Sequence, residues 1–344
     1  MRITVSTNAR AGLRAWNTAV LVALTGLSLA ACQQDQPTSP TIADDNDATI
    51  DFTVTPEAVA AAKTAVMVGH HKLPTIPLRQ ESLSRINASV SQIDNSPFDL
   101  TNFGGPVVTG ATSYAVYVGC PLPETPVMCW GTGTLSLTDF LNDLNRSPFI
   151  RLLNEYIGTD AMLKFPAIQM RTKLTFATPN QASMEEIQQI VAGAVLATGK
   201  SGYTAIYHVF LRQGVSVCIA AGNCYSPSDP ASFAFCAFHG SVNLSPTQHV
   251  LFTVQPYQDV DGCRLRGQTP NGRLDATAST LSHELFETIT DPDFDAWSNA
   301  LFGYEVSDMC SVFGSNLLVN TRNYFVQSEY SNTRHLCTSQ PPGV

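Results

Sequence analysis

The run Ser282-His283-Glu284-Leu285-Phe286-Glu287-Thr288-Ile289-Thr290-Asp291-Pro292 gathers the groups of this chain best suited to holding a cation or moving a proton. Positions four apart share a helix face, so His283, Glu287 and Asp291 line one stripe. Leu281, Leu285 and Ile289 line another, about 160° around the axis at 3.6 residues per turn. An apolar stripe packs on a sheet while an imidazole and two carboxylates point into a cleft. Such nitrogen and oxygen donors suit Zn²⁺ or another divalent ion. Glu284 directly follows the histidine. In zinc peptidases with H-E-x-x-H, a glutamate there is the general base on water. Here Glu287 replaces the second histidine, giving H-E-x-x-E, which lies outside the common signature and is less specific. The plainer alternative is an amphipathic helix with a solvated acidic face.

More carboxylates lie close by. Asp291, Asp293 and Asp295 follow the helix, and Gly303-Tyr304-Glu305-Val306-Ser307-Asp308-Met309-Cys310 sets Glu305 and Asp308 beside a cysteine. Carboxylates crowded around one histidine repel each other unless solvent, protons or a cation relieve them. The expected ligands are His283 and Glu287, with Asp291 or one of Glu305 and Asp308 as the third, and Glu284 as general base. Zn²⁺ is the first candidate, and Ca²⁺ at the Asp-rich loop the second. His239, in Cys-Ala-Phe-His-Gly, reads as a strand-end residue able to face this cleft, and His208 as a satisfied core histidine. Trp297, Phe302, Tyr304 and Tyr330 read either as a carbohydrate floor or as packing around a disulfide.

The elements that must position these groups read as interleaved strands and helices. Val107–Val118 is β-rich, Leu137–Tyr156 has helical spacing, and Lys173–Thr178 reads as a strand. Ser183–Thr198 is amphipathic with acidic residues in its first turn, and Thr277–Thr290 is the last helix, stopped by Pro292. Tyr203–Leu211 and Val250–Val254 read as buried strands. The fold class is therefore α/β or α+β, with a single mixed β-sheet, packed helices and a zincin-like active helix at residues 277–290. The domain is expected to start near residue 105 and run to 344. Residues 32–104 read as a polar tether and weakly ordered region, in which Pro56–Val68 is compatible with a short helix.

Residues 1–31 have a basic start, an apolar run Ala19–Ala31 and the ending Leu29-Ala30-Ala31-Cys32. That ending reads as a lipobox, with cleavage before Cys32 and lipidation of its thiol. The expected location is the cell envelope, lipid-anchored, with the outer membrane favoured over the inner because Gln33 rather than Asp follows the cysteine. Nine cysteines occur in the chain. Setting Cys32 aside leaves Cys120, Cys129, Cys218, Cys224, Cys236, Cys263, Cys310 and Cys337, an even set suited to disulfides in an oxidising compartment. Proximity favours Cys120–Cys129 and Cys218–Cys224, with Cys236–Cys263 and Cys310–Cys337 as the remainder. Charged residues are only 14% of the chain and net charge is −9. Without clustered cations, nucleic-acid binding is not expected.

The order of short motifs over residues 105–337 resembles the EXORDIUM / phosphate-induced protein family. It runs through Ser147-Pro148-Phe149, Leu153-Asn154-Glu155-Tyr156, Tyr207-His208-Val209-Phe210-Leu211 and Cys236-Ala237-Phe238-His239-Gly240. It ends with Thr290-Asp291-Pro292, Glu305-Val306-Ser307-Asp308-Met309-Cys310 and Gln327-Ser328-Glu329-Tyr330-Ser331-Asn332. The bacterial branch of that family keeps H-E-L-x-E-x-x-T-D-P, whereas plant members lack counterparts of His283, Glu284 and Glu287. The resemblance implies an extracellular, wall-associated protein. Two functions remain open from sequence: a peptidase-like zinc hydrolase of the envelope, and a non-catalytic surface protein binding polysaccharide or peptide.

Overall fold

The computed structural model describes residues 49–68, 98–119, 135–158, 165–220, 222–229, 233–263, 271–311, 313–319 and 321–340. The expected leader, Cys32 and the expected Cys120–Cys129 pair lie outside these residues. In chain order the first elements are β1 (Ile50–Phe52), α1 (Pro56–Thr64), β2 (Val66–Val68), β3 (Leu100–Asn102), β4 (Thr112–Val118), α2 (Leu137–Arg146), α3 (Asn154–Ile157), β5 (Ala167–Thr172) and β6 (Gln181–Ser183). Then come α4 (Met184–Thr198), β7 (Gly202–Leu211), β8 (Ser216–Ala220), β9 (Asn223–Tyr225), β10 (Phe238–Ser245), β11 (Gln248–Gln255) and α5 (Arg273–Thr290). The chain closes with β12 (Trp297–Asn299), β13 (Gly314–Val319), β14 (Arg322–Gln327), β15 (Glu329–Ser331) and β16 (Leu336–Thr338).

A seven-stranded sheet in the order β1-β5-β4-β7-β11-β10-β2 is the frame. Its first five strands pair in parallel, and β10 and β2 add on antiparallel at the far side. Parallel strands covered on both faces carry near-continuous apolar runs, as Ala205–Leu211 does with every residue buried. Alternation along β7 sorts the two faces. Tyr207, Val209 and Leu211 meet α4 through Ile187, Ile190, Val191 and Val195. Ile206 and Phe210 face the side of α5 and α2, with Leu281, Leu285, Ile289, Phe140 and Leu144. The result is helix, sheet, helix, the mixed α/β arrangement expected. The sheet is not single, however: among the described residues β12-β3, β13-β14, β15-β16 and β6-β8-β9 form four smaller sheets of their own.

Local chemistry fixes the helix starts. Ser183 caps α4 and Glu186 reaches back to it, and Ser136 with Asp139 does the same for α2, each box satisfying orphan amides. The strand expected at Lys173–Thr178 is displaced: it lies at Ala167–Thr172 as β5, and residues 173–177 are irregular.

Residues 49–68 and 98–104 also differ from the expected weak order. β1 and β2 form opposite edges of the main sheet, and α1 packs on α4. β3 pairs with β12, and Phe103 N and Gly105 N donate to the Ala296 and Asp295 carbonyls at 2.7 and 2.9 Å. A Cβ at Gly105 would fall 2.6 Å from the Asp295 carbonyl, so only glycine allows this approach. Strands of three residues are too short to show a period, which is why composition alone suggested a tether.

Among the described residues three disulfides join Cys218–Cys224, Cys236–Cys263 and Cys310–Cys337, as proximity and remainder predicted. Among the described residues no helix is long and apolar enough to cross a membrane.

Candidate metal centre

The helix carrying H-E-x-x-E is buried on all sides. From Leu274 to Thr290 only Thr280 is even half-exposed, so the expected solvated face or open cleft is not what forms. The apolar stripe meets the sheet, while the acidic side is covered by β10, by β14 and β15, and by the segment Glu305–Cys310. Cys310–Cys337 ties that segment to β16.

His283 and Glu287 meet as the helical spacing predicted, with Nε2 3.1 Å from Glu287 Oε1. Of the three residues offered as a third ligand, Asp308 is the one brought to this pair, its Oδ1 3.7 Å from His283 Nε2. The Asp308 amide also donates to Glu287 Oε1 at 3.1 Å. Asp291 does not join them: it ends α5, and its Oδ1 accepts from Ala296 N at 2.6 Å, fastening the loop after the helix. Nor does the Asp-rich loop gather into an oxygen cage. Asp293 bonds Tyr203 and lies 3.1 Å from His249 Nε2, and Asp295 is exposed.

The tautomer of His283 follows from its neighbours. Gln327 Nε2 donates to the Ser307 carbonyl at 2.6 Å, which leaves Gln327 Oε1 to face His283 Nδ1 at 3.2 Å. A neutral His283 therefore carries its proton on Nδ1 and points a lone pair from Nε2 at Glu287 and Asp308. Neither His283 Nε2 nor Asp308 Oδ1 makes a hydrogen bond.

His239, on β10, belongs to the same cluster. Its Nδ1 lies 3.2 Å from Glu284 Oε2 and 3.5 Å from Glu287 Oε2, and its Nε2 is 3.6 Å from Glu305 Oε1. The ring stacks on Phe294, whose φ of 61° is unusual for a bulky residue; such backbone strain costs on the order of 1–3 kcal/mol and is retained where the surroundings hold it. Glu329 was not anticipated at all. It sits on β15 with no exposed surface, and neither carboxylate oxygen has a hydrogen-bond partner; the Ser307 hydroxyl beside it donates to the His283 carbonyl instead. A short C-terminal strand offers no local signal that its glutamate turns inward, whereas the Phe-His-Gly strand end did mark His239.

Two imidazoles and the carboxylates of Glu284, Glu287, Glu305, Asp308 and Glu329 are thus enclosed together. Burial pushes Asp308 up to about 7 and holds Glu305 and Glu329 well above the carboxylate range, with Glu284 raised as well. Burial opposes charge on His239 and His283 too, yet the surrounding carboxylates raise both well above the usual imidazole value. Glu287 is the exception: the two imidazoles outweigh its burial and lower it to about 2. Five carboxylates cannot be balanced by two imidazolium charges, and unpaired buried charge is costly. Protons or a cation must make up the difference. His283, Glu287 and Asp308 form one set of ligand atoms, and His239, Glu284 and Glu287 another, each within 4.8 Å of one another. The cluster can hold a metal ion.

Comparison of the chain with protein-family models, with curated proteins and with solved structures finds no match.

Proposed function

We propose that this chain is a metal-dependent hydrolase of zincin type, peptidase-like, carried on a lipid-anchored protein of the cell envelope. The observation supporting it is the approach of Glu287 Oε1 and Asp308 Oδ1 to His283 Nε2, on a ring held at its other nitrogen by Gln327. Zinc fits this donor set better than calcium, which takes six to eight oxygens and no imidazole. A zinc ion there would lower the pKa of water to about 7. Glu284 is the neighbouring carboxylate suited to accept the water's proton, because burial keeps its basicity above that of an ordinary glutamate. Metal analysis after zinc loading and desalting tests the reading, together with a broad peptidase and esterase screen of parent and Glu284→Gln. Retained zinc with turnover lost in Glu284→Gln is the expected result. A protein that retains no metal overturns it.

A second reading follows from the burial itself: the ion is a structural clamp in a non-catalytic wall-binding protein of the EXORDIUM type. His283 is 5% exposed and Glu287 1% exposed, so substrate reaches them only if the covering C-terminal strands open. Retained metal without any turnover, and with Glu284→Gln silent, selects this reading. The anchor is tested separately by mass spectrometry of the mature N-terminus, where a diacylated Cys32 is expected and an unmodified or uncleaved chain refutes it.

A further inference from the structure

We infer that the cluster holds two divalent transition-metal ions rather than one, bridged by the Glu287 carboxylate. The inference rests on the metal-dependent reading above and adds a second ion to it. The two oxygens of Glu287 address different imidazoles: Oε1 lies 3.1 Å from His283 Nε2, and Oε2 lies 3.5 Å from His239 Nδ1. Each imidazole then has a carboxylate of its own. Asp308 Oδ1 is 3.7 Å from His283 Nε2, and Glu284 Oε2 is 3.2 Å from His239 Nδ1. Donor atoms sharing one ion at metal distances of about 2.0–2.2 Å stand roughly 3–3.6 Å apart, close to the spacing in both halves. The cluster is two matched ligand sets sharing one residue.

The second half has its own supporting group. Glu305 is buried, its Oε1 has no hydrogen-bond partner, and it lies 3.6 Å from His239 Nε2. A carboxylate on the far side of a ligating imidazole takes the ring proton and orients the other nitrogen toward the ion. Glu305 fills that role for His239, as Gln327 does for His283. Phe294 stacked on the ring fixes its plane.

Charge argues the same way. With neutral imidazoles and all five carboxylates ionised, a single dication leaves three negative charges for protons to neutralise, and two dications leave one. Two ions held about 3.5–4 Å apart would stabilise both the attacking and the leaving oxygen of a hydrolytic displacement. In the two-ion form Glu284 would serve as a ligand rather than as the general base.

The experiment loads the purified full-length protein with Mn²⁺ or Zn²⁺, desalts it, and measures metal per chain and the electron paramagnetic resonance of the manganese form. Two ions per chain are expected, with a spin-coupled spectrum in place of the isolated-ion hyperfine pattern. His239→Ala should retain one ion and restore the isolated-ion pattern. One ion per chain with an uncoupled spectrum in the parent overturns the bridge while leaving the one-ion hydrolase intact, and no retained ion overturns both. If His239→Ala fails to fold, the parent's metal count and spectrum still decide.

Discussion

Replacing Cys310 and Cys337 together by serine should cost both stability and metal affinity, and the two losses have separable origins. The bridge closes 27 residues. In the chain-entropy model a loop of that length corresponds to about 3.5 kcal/mol, with native strain or residual denatured structure reducing it. Affinity suffers for a different reason. Cys310 ends the 3₁₀ turn that begins at Asp308, so the bridge holds both the Asp308 carboxylate and the amide bonded to Glu287 Oε1. Cys218–Cys224 is the internal control. It closes only six residues on the small β6-β8-β9 sheet, about 2 kcal/mol by the same model, and touches no residue of the cluster. Urea unfolding gives the stability of parent and both double variants, and competition with a chromophoric zinc chelator gives affinity. Both variants should be destabilised, but only Cys310→Ser with Cys337→Ser should bind zinc more weakly. Equal zinc affinity in all three proteins would refute the idea that the C-terminal clamp positions Asp308.

The chelated protein should lose stability relative to the zinc-loaded form as pH rises from about 4 to 7. The folded value of Asp308 is raised from 3.8 to about 7, so its contribution is full below the unfolded value and disappears above the folded one; parallel pH curves for the two forms would contradict this. His208 works in the opposite sense: burial lowers it to about 3, so stability it supplies above the unfolded value near 6.5 is lost as pH falls. In chelated protein, His208→Gln should remove about 2 kcal/mol of the loss between pH 6.5 and 5, and an unchanged acid limb in urea titrations would count against it. Deleting residues 1–48 should preserve a cooperative unfolding transition, whereas deleting 1–104 strips β1, α1, β2 and β3 from the fold and should produce aggregation or a broad, non-cooperative transition. A well-behaved 105–344 fragment would show those elements to be dispensable.

Much of the centre was legible because helical spacing is a local property. His283, Glu287, Leu281 and Leu285 sort onto faces by arithmetic, and three cysteine pairs follow from proximity and remainder. What spacing cannot say is what lies over each face. The acidic stripe of α5 looks solvated until β14 and β15, some 40 residues later, fold across it, and that long-range contact turns a charged face into an enclosed one. The same gap explains the third ligand. Asp291 has the right helical phase, but the helix ends there and its carboxylate is taken by the Ala296 amide. His239 reaches the cluster only because β10 adds antiparallel beside β11, a pairing that its mixed Phe-His-Gly-Ser-Val run does not announce.

Zinc-edge X-ray absorption on the zinc-loaded full-length protein decides whether these imidazoles and carboxylates hold the ion. The expected first shell is nitrogen and oxygen only, at about 2.0–2.2 Å, with outer-shell imidazole scattering that weakens in His283→Ala. A sulfur shell at about 2.3 Å, or a spectrum of hydrated zinc alone, would contradict it.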